Sequence, residues 1–113
     1  MDTNDKPVLI YATFPDMGSA EATGQFLVES GLAACVNILP GMVSIYEWAG
    51  AIQRDEECVA IIKTRTSQSE AAIAEARTRH PYTTPAFLVI PVTGGSKSYI
   101  EWLMANANRS KPG

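Results

Sequence analysis

The sequence predicts an α+β fold, with one antiparallel sheet and helices packed on one of its faces. Four apolar, strand-like runs are interleaved with amphipathic, helix-like runs in the order β-α-β-β-α-β-α. The 113 residues are 46% hydrophobic and 19% charged, a composition typical of one globular domain with a single core. We therefore expect one domain over residues 1–113, with its core within about residues 8–105.

The chain opens with a strand and a helix. Val8–Phe14 is apolar, and Pro15 ends this run because proline cannot donate a hydrogen bond within a sheet. Ser19–Ser30 carries polar side chains four positions apart on one face and apolar side chains on the other, which is the period of a helix. Gly31 then supplies a helix stop, because glycine adopts a positive φ without strain.

A hairpin of two long strands follows. Leu32–Leu39 is a nearly continuous apolar run, and after a Pro-Gly interruption the strand resumes at Val43–Trp48. The Ala-Gly-Ala sequence at residues 49–51 is the turn candidate, and Ile52–Thr64 is the return strand. The apolar centre of that strand, Val59–Ile62, is expected to be buried on both faces.

The remaining elements are a helix, a strand and a helix. Ser67-Gln68-Ser69-Glu70 matches a capping box, which predicts a helix that begins at Ser67 and ends before Pro81. Phe87–Val92 is the fourth strand, and Gly94-Gly95-Ser96 leads into the last helix. Residues 106–113 are expected to fray at the end of the chain.

This order is the split βαβ pattern of a ferredoxin-like βαββαβ sandwich, to which the last helix is an addition. The strand lengths do not match. Ile52–Thr64 would extend about 40 Å, whereas Phe87–Val92 would reach only about 20 Å. The hairpin therefore has to overhang its own domain and expose apolar side chains and strand edges. We expect the chain to pair with copies of itself.

Charge and composition limit the partners and the compartment. Nine basic and twelve acidic side chains give a net charge of −3 without a basic stripe, so we expect no nucleic-acid partner. No apolar run approaches the roughly 20 residues that span a bilayer, and the first residues are polar, so we expect no membrane anchor and no signal peptide. Cys35 and Cys58 form no CxxC motif, which favours two free thiols in a reducing cytoplasm.

Five short motifs occur in order along most of the chain. They are Ala33-Ala34-Cys35-Val36-Asn37-Ile38, Tyr46-Glu47-Trp48-Ala49-Gly50, Ile62-Lys63-Thr64, His80-Pro81-Tyr82-Thr83-Thr84-Pro85 and Pro91-Val92-Thr93-Gly94-Gly95. With these five motifs, the chain resembles the CutA divalent-cation tolerance family, and the resemblance extends from about Val8 to Leu103. Five matching segments in the same order and spacing make this resemblance far more specific than any single segment would.

The resemblance implies a cytoplasmic homotrimer of ferredoxin-like subunits, similar in architecture to the PII signalling proteins. It also implies an association with tolerance to copper and other divalent cations. Copper ligands are implied at a cysteine near the end of the first strand and at a His-His pair before Pro-Tyr. In this sequence those positions hold Ala12, Arg79 and His80. Only His80 matches, and Arg79 adds a positive charge where a cation would bind.

Three residues are candidate metal ligands. His80, the only histidine, carries an imidazole that suits copper, zinc or nickel. Alternatively, it closes the apolar stripe of the second helix and complements the helix dipole. Glu57 can join His80 as an oxygen ligand, or it belongs to a charged patch that keeps an exposed strand soluble. Cys35 offers a soft donor if exposed, although its apolar neighbours favour burial. We expect no required cofactor, with a divalent metal such as copper as the candidate ligand.

A cleft between subunits is the second candidate site. The residues expected to line it are Tyr82, Lys63, Trp48, Gly94 and Gly95. The Gly-Gly turn precedes a helix, and backbone N–H groups in such a turn attract anions. A plain glycine turn with a Ser96 cap explains the same residues. No Ser-His-Asp set is identifiable, which makes an enzyme the weakest hypothesis.

The leading functional hypothesis is a non-enzymatic, trimeric, cytoplasmic protein linked to divalent-metal tolerance and homeostasis. In this hypothesis metal binding is weak or shared between subunits, and it centres on His80. The alternative is a PII-like sensor that binds a small anionic ligand in the intersubunit cleft and relays its presence to a protein partner. The third hypothesis is an enzyme that uses the same cleft.

Overall fold

The computed structural model describes residues 4–109, and its element order is the predicted one. The strands are β1 (Pro7–Phe14), β2 (Cys35–Trp48), β3 (Ala51–Arg65) and β4 (Phe87–Pro91). The helices are α1 (Met17–Glu29), α2 (Thr66–Thr78) and α3 (Lys97–Asn106). The strands form one antiparallel sheet in the order β2-β3-β1-β4, which confirms the predicted α+β fold. None of the helices in the described range is long and apolar enough to cross a membrane.

The core lies between one face of the sheet and helices α1 and α2. The buried sheet residues on this face are Ile10, Ala12, Phe14, Ala60 and Ile62, and the buried helix residues are Ala20, Leu27, Ala72 and Ala76. Alanine dominates the helix side, so the helices lie close to the sheet. Gly24 shows how close: a Cβ at this position would lie 3.2 Å from Cγ1 of Val36.

Two helix starts differ from the sequence prediction. α1 begins at Met17 rather than Ser19, because the carboxylate of Asp16 accepts the N–H of Ser19 at 2.7 Å and caps the helix. α2 begins at Thr66, so the capping-box interpretation at Ser67 is wrong. The N–H and hydroxyl of Ser67 instead donate to the carboxylate of Asp5, which lies far away in sequence.

β2 also differs from the prediction, because it begins at Cys35 and runs through the Pro-Gly sequence as one strand. Its pairing with β3 shifts register between Leu39 and Met42. This irregularity accommodates Pro40, which cannot donate a hydrogen bond to the sheet, and Gly41, which has a φ of 78°. The interruption predicted from Pro40 and Gly41 is therefore a bulge within a strand.

The chain after α3 is anchored through Arg109, so the prediction that it frays from residue 106 is wrong for residues 106–109. Gln68 of α2 donates to the carbonyl of Ala107 at 2.8 Å and accepts the N–H of Arg109 at 2.8 Å. Arg65 donates to the carbonyl of Met104 at 2.7 Å. Residues 110–113, the rest of the predicted tail, lie outside the described residues.

The β2–β3 hairpin overhangs the rest of the molecule, as predicted from the strand lengths. β1 pairs with β3 only as far as Phe14 and Cys58, so Ala51–Glu57 pairs with β2 alone. The molecule measures 48 × 28 × 21 Å as a result. The exposed large hydrophobic residues of the hairpin are Leu39, Val43, Ile45, Tyr46, Trp48 and Ile52.

The sheet face opposite α1 and α2, here called the open face, is apolar and exposed over much of its area. Strand register places Leu88 beside Tyr11 and Ile90 beside Leu9 on this face. Leu88 is 62% exposed, and Ile90 and Leu39 are exposed as well. Exposed apolar side chains grouped on one face are typical of interaction surfaces.

Candidate functional site

His80 holds the loop between α2 and β4 against the end of β1. Its imidazole is 9% exposed and stacks on Phe14, with 4.5 Å between ring centroids. The Nε2 atom lies 2.6 Å from the carbonyl oxygen of Thr13, and Nδ1 accepts the N–H of Tyr82 at 3.1 Å. Because Nδ1 accepts and Nε2 faces a carbonyl, the geometry assigns the neutral tautomer with its proton on Nε2.

Both ring nitrogens of His80 are therefore occupied within the chain. A metal would have to displace the Tyr82 N–H to reach the lone pair of Nδ1. The edge of the Phe87 ring also packs on the imidazole, at 5.8 Å between ring centroids. Of the two hypotheses for His80, the geometry favours the structural one.

At the other two positions where the resemblance implies copper ligands, the side chains present also make contacts within the chain. Ala12 is fully buried in the core, where its strand partners are Ala60 and Phe87. The Arg79 guanidinium lies over the ring of Phe26, 3.5 Å from its centroid, and pairs with Glu75 at 2.8 Å. Neither position faces an open metal site in the single chain.

A cavity of about 590 Å³ lies where the loop after α2 meets the overhanging hairpin; we call it the loop–hairpin cleft. Its lining residues are Thr13, Tyr46, Trp48, Glu57, Pro81, Tyr82, Thr83, Thr84 and Ala86. The volume lies in the range of small-molecule sites. The predicted cleft residues Tyr82 and Trp48 meet here, together with the predicted metal ligand Glu57.

Two tyrosine–carboxylate pairs set the electrostatics of this cleft. The hydroxyl of Tyr82 donates to Glu57 Oε2 at 3.2 Å, and the hydroxyl of Tyr46 donates to the carboxylate of Asp55. The hydrogen bond to Asp55, together with the nearby charges of Asp55 and Glu57, raises the pKa of Tyr46 to about 12. Burial and the charge of Glu57 raise the pKa of Tyr82 as well. Ionisation of either phenol is therefore disfavoured beside these carboxylates.

Lys63 and Cys35 lie elsewhere on the sheet. Lys63 is six residues along β3 from Glu57, a distance of about 20 Å. Its ammonium donates to the hydroxyl of Tyr99 at 2.9 Å, and that hydrogen bond raises the pKa of Lys63. Cys35 is the strand partner of Lys63, half-buried at the start of β2. In a single chain, therefore, neither residue reaches the loop–hairpin cleft.

Gly94 and Gly95 also lie outside the cleft lining. Both are exposed in the turn before α3, where the hydroxyl of Ser96 accepts the N–H of Tyr99 at 3.2 Å. This contact caps α3, as the plain-turn interpretation expects. The residues that the sequence assigned to one cleft therefore occupy at least two places in the subunit.

The candidate metal ligands do not converge within one chain. Cys35 lies about 20 Å along the hairpin from Glu57, and His80 is turned toward Thr13. Within residues 4–109 no group of three or more His, Cys, Asp and Glu side chains is arranged to hold a metal ion. A site with three such ligands would need residues from more than one subunit.

Sequence reasoning missed the threonines of the cleft. Thr13 closes one side from the end of β1, and Thr83 and Thr84 contribute from the loop. No local pattern marks Thr13, because only the sheet register brings it beside the hairpin. The alternation of β3 does carry a signal, since it places Asp55 and Glu57 on one face.

Comparison with known proteins identifies the relatives of this chain. The family model described as CutA1 divalent ion tolerance protein matches residues 8–106. The chain belongs to this family. A solved structure of CutA from Xylella fastidiosa superimposes with a TM-score of 0.88 at 38% identity, covering 91% of this chain and 99% of that one. The divalent cation tolerance protein of Thermus thermophilus gives a TM-score of 0.86 at 36% identity, covering 88% and 97%.

Curated relatives agree with this assignment. The divalent-cation tolerance protein CutA of Pectobacterium atrosepticum is 40% identical over 107 residues, which is 91% of this chain and 97% of the relative. The chloroplastic protein CutA of Arabidopsis thaliana is 42% identical over 96 residues, or 85% of this chain. This chain spans about half (53%) of that plant relative and nearly all of the bacterial one.

Proposed function

We propose that this chain acts in divalent-cation tolerance as an assembled, non-enzymatic binding protein. One observation carries the proposal: residues 8–106 match a family described by that role, and near-full-length relatives are named for it. The description names a tolerance and no reaction. The single histidine, with both ring nitrogens occupied, also makes a poor general base.

The proposed assembly is a homotrimer. The open face and the overhanging hairpin carry apolar side chains that copies of the chain can cover, among them Leu88 and the 71% exposed Ile45. β2 and β4 are the two edge strands of the sheet, so one edge of a subunit can meet the other edge of the next and close a ring. The number three comes from the resemblance to the PII architecture. The cytoplasm stays the expected compartment.

Glu57 is the proposed metal ligand. Its carboxylate is half-buried in the wall of the loop–hairpin cleft, and Asp55 lies two positions away on the same face of β3. Carboxylate oxygens bind divalent metals, Cu(II) included, but one such pair makes an incomplete site. Copies of the chain would complete it. His80 and Cys35 are weaker candidates because of the contacts described above.

Calorimetric titration of the full chain with Cu(II) and Zn(II) tests the metal site. We expect binding to wild type, loss of that binding in Glu57→Gln, and retention in Glu56→Gln. Glu56 is the matched control because it points to the other strand face, where it lies 3.8 Å from Arg54. Unchanged binding in Glu57→Gln would remove Glu57 from the site, and loss in Cys35→Ser would move the site to Cys35.

Growth tests the biological role. A strain that lacks this gene should grow poorly in elevated copper, and the wild-type gene should restore growth. The gene encoding Glu56→Gln should restore growth equally well. A null strain as tolerant as its parent would contradict the proposed role, whatever the chain binds in solution.

A PII-like sensor is the second candidate, and the loop–hairpin cleft is the observation that favours it. A cavity of about 590 Å³ beside an exposed hairpin offers room for a metabolite. The expectation of an anionic ligand came from the Gly94-Gly95 turn, which lies outside the cleft lining. A thermal-shift screen with phosphate and carboxylates tests that expectation, and stabilisation lost in Gly94→Ala would support it.

A further inference from the structure

We propose that the loop–hairpin cleft binds a small organic ammonium ion. This inference goes beyond metal tolerance, because it depends on aromatic rings that a metal ion does not require. It also assigns the sign of the ligand charge opposite to the sign expected for a PII-like sensor.

Three aromatic side chains form much of the cleft wall. Trp48 and Tyr46 come from β2, and Tyr82 comes from the loop after α2. Trp48 lines the cavity and is 65% exposed in the single chain, so its ring borders open space there. The face of an aromatic ring carries negative charge, and tryptophan attracts an organic cation most strongly. Aromatic walls of this kind recognise ammonium groups in other proteins.

In the single chain, the charged side chains identified at the cleft are acidic. The Glu57 carboxylate is in the wall, and Asp55 is bound to the hydroxyl of Tyr46 beside it. None of the lining residues is Lys, Arg or His. The raised pKa values of Tyr46 and Tyr82 agree with this accumulation of negative charge. An anion would be repelled, whereas a cation would be attracted to both carboxylates and rings.

The wall on the loop side is fixed before any ligand arrives. His80 ties the loop to Thr13, and the flanking prolines Pro81 and Pro85 restrict the backbone. Thr83 and Thr84 also line the cleft, and a threonine hydroxyl can accept from an ammonium N–H or bind a polar substituent on the ligand. A preorganised wall of this kind reduces the entropy lost on binding.

Calorimetry with three ligands tests the inference on the full chain. Choline carries the quaternary ammonium group, 3,3-dimethylbutan-1-ol has the same shape without the charge, and inorganic phosphate represents the anions. We expect choline to bind at least about tenfold more tightly than the neutral alcohol, and phosphate not to bind in the cleft. Equal binding of choline and the alcohol would overturn the inference, and so would no choline binding at concentrations up to about 20 mM.

Variants locate the site and separate it from the metal site. Trp48→Leu and Glu57→Gln should each weaken choline binding about tenfold, and Glu56→Gln should leave it unchanged. Trp48→Leu should also leave the Cu(II) titration unchanged, because the indole Nε1–H is a donor only and offers no lone pair to a metal ion. Metal binding without choline binding would refute this inference and leave the proposed function intact. Choline binding without metal binding would support this inference and contradict the proposed metal site.

Fluorescence provides a second measurement. The chain has two tryptophans, so Trp102→Phe leaves Trp48 as the only indole. Trp102 lies on α3, where its ring pairs with Tyr99 outside the cleft lining. Choline should change the emission of this variant with the affinity that calorimetry gives for wild type. Unchanged emission at saturating choline would place the ligand elsewhere and overturn the assignment.

Discussion

At the scale of single residues, His80 determines the position of the loop that forms one wall of the cleft. Its imidazole joins the end of β1 to the loop through Thr13 and Tyr82, and the ring fills the space beside Phe14. A buried polar ring with both nitrogens paired stabilises the fold, whereas its loss leaves a cavity and unpaired groups. The role of His80 toward the cleft is therefore indirect.

His80→Ala should lower the free energy of unfolding by about 2–4 kcal/mol, because it removes one buried hydrogen bond, one partly buried hydrogen bond and a stacked ring. Denaturant unfolding at fixed protein concentration measures this change. His80→Gln, which retains hydrogen-bonding groups, should lose less stability and should bind Cu(II) as wild type does. Loss of Cu(II) binding in His80→Gln at unchanged stability would show that His80 is a ligand after all.

At the scale of elements, Asp5 links the start of the chain to α2 and α3. Its carboxylate accepts from the N–H of Ser67 at 2.9 Å and from Arg65 Nε at 2.6 Å. Arg65 donates in turn to the carbonyl of Met104 in α3. Burial opposes ionisation of Asp5, but the hydrogen bonds from Ser67 and Arg65 outweigh it and hold the pKa below its ordinary value of 3.8.

This contact predicts a pH dependence of stability. A carboxyl group with a lowered pKa in the folded state stabilises the fold fully above its unfolded value, and that contribution disappears as the pH falls through the folded value. The stability difference between wild type and Asp5→Asn should thus be constant from pH 7 to about 5 and shrink below 3.8. Unfolding curves across this range measure it, with the exposed Glu101→Gln as a control for net charge. A difference independent of pH would contradict the prediction.

The sequence predicts the elements well because most of them carry their own periodicity. It fails where a distant partner decides the boundary. The N–H and hydroxyl of Ser67 donate to the carboxylate of Asp5, so the predicted capping box does not form. Gln68 binds the chain after α3, which the sequence alone predicts to fray. Pro40 suggests the end of a strand, but the bulge lets β2 continue. No local sequence pattern predicts any of these contacts.

The candidate site also divides into features that local sequence predicts and features that depend on distant residues. Tyr82 and Trp48 are aromatic residues with polar groups, which indicates a cleft, and both line the loop–hairpin cleft of the single chain; their place in a cleft between subunits stays a prediction. Lys63 and Glu57 share one strand, and only the extended geometry of β3 shows that they are about 20 Å apart. Thr13 enters the cleft through sheet register alone. Pairing between strands is long-range information that residue patterns do not contain.

At the scale of the whole molecule, the subunit is unusually extended for its size. The hairpin accounts for the 48 Å axis, and the open face leaves apolar side chains such as Leu88 in solvent. Burial of such area contributes about 25 cal/mol per Å², so covering it on three subunits would stabilise an assembly strongly. The loop–hairpin cleft lies along the overhanging part of this hairpin, which a neighbouring subunit would also approach.

Self-association is therefore the central claim, and a variant on the open face tests where it occurs. Leu88→Asp places a charge on the exposed apolar part of this face, on the edge strand β4, and should shift the protein toward monomer. Ala74→Asp, on the exposed side of α2, is the matched control and should leave the assembly unchanged.

Multi-angle light scattering of the wild-type chain at micromolar concentration is the most direct measurement. Three copies of the 12.2 kDa chain predict a single species of about 37 kDa. A stable species of about 12 kDa that keeps its fold at every concentration would contradict the account.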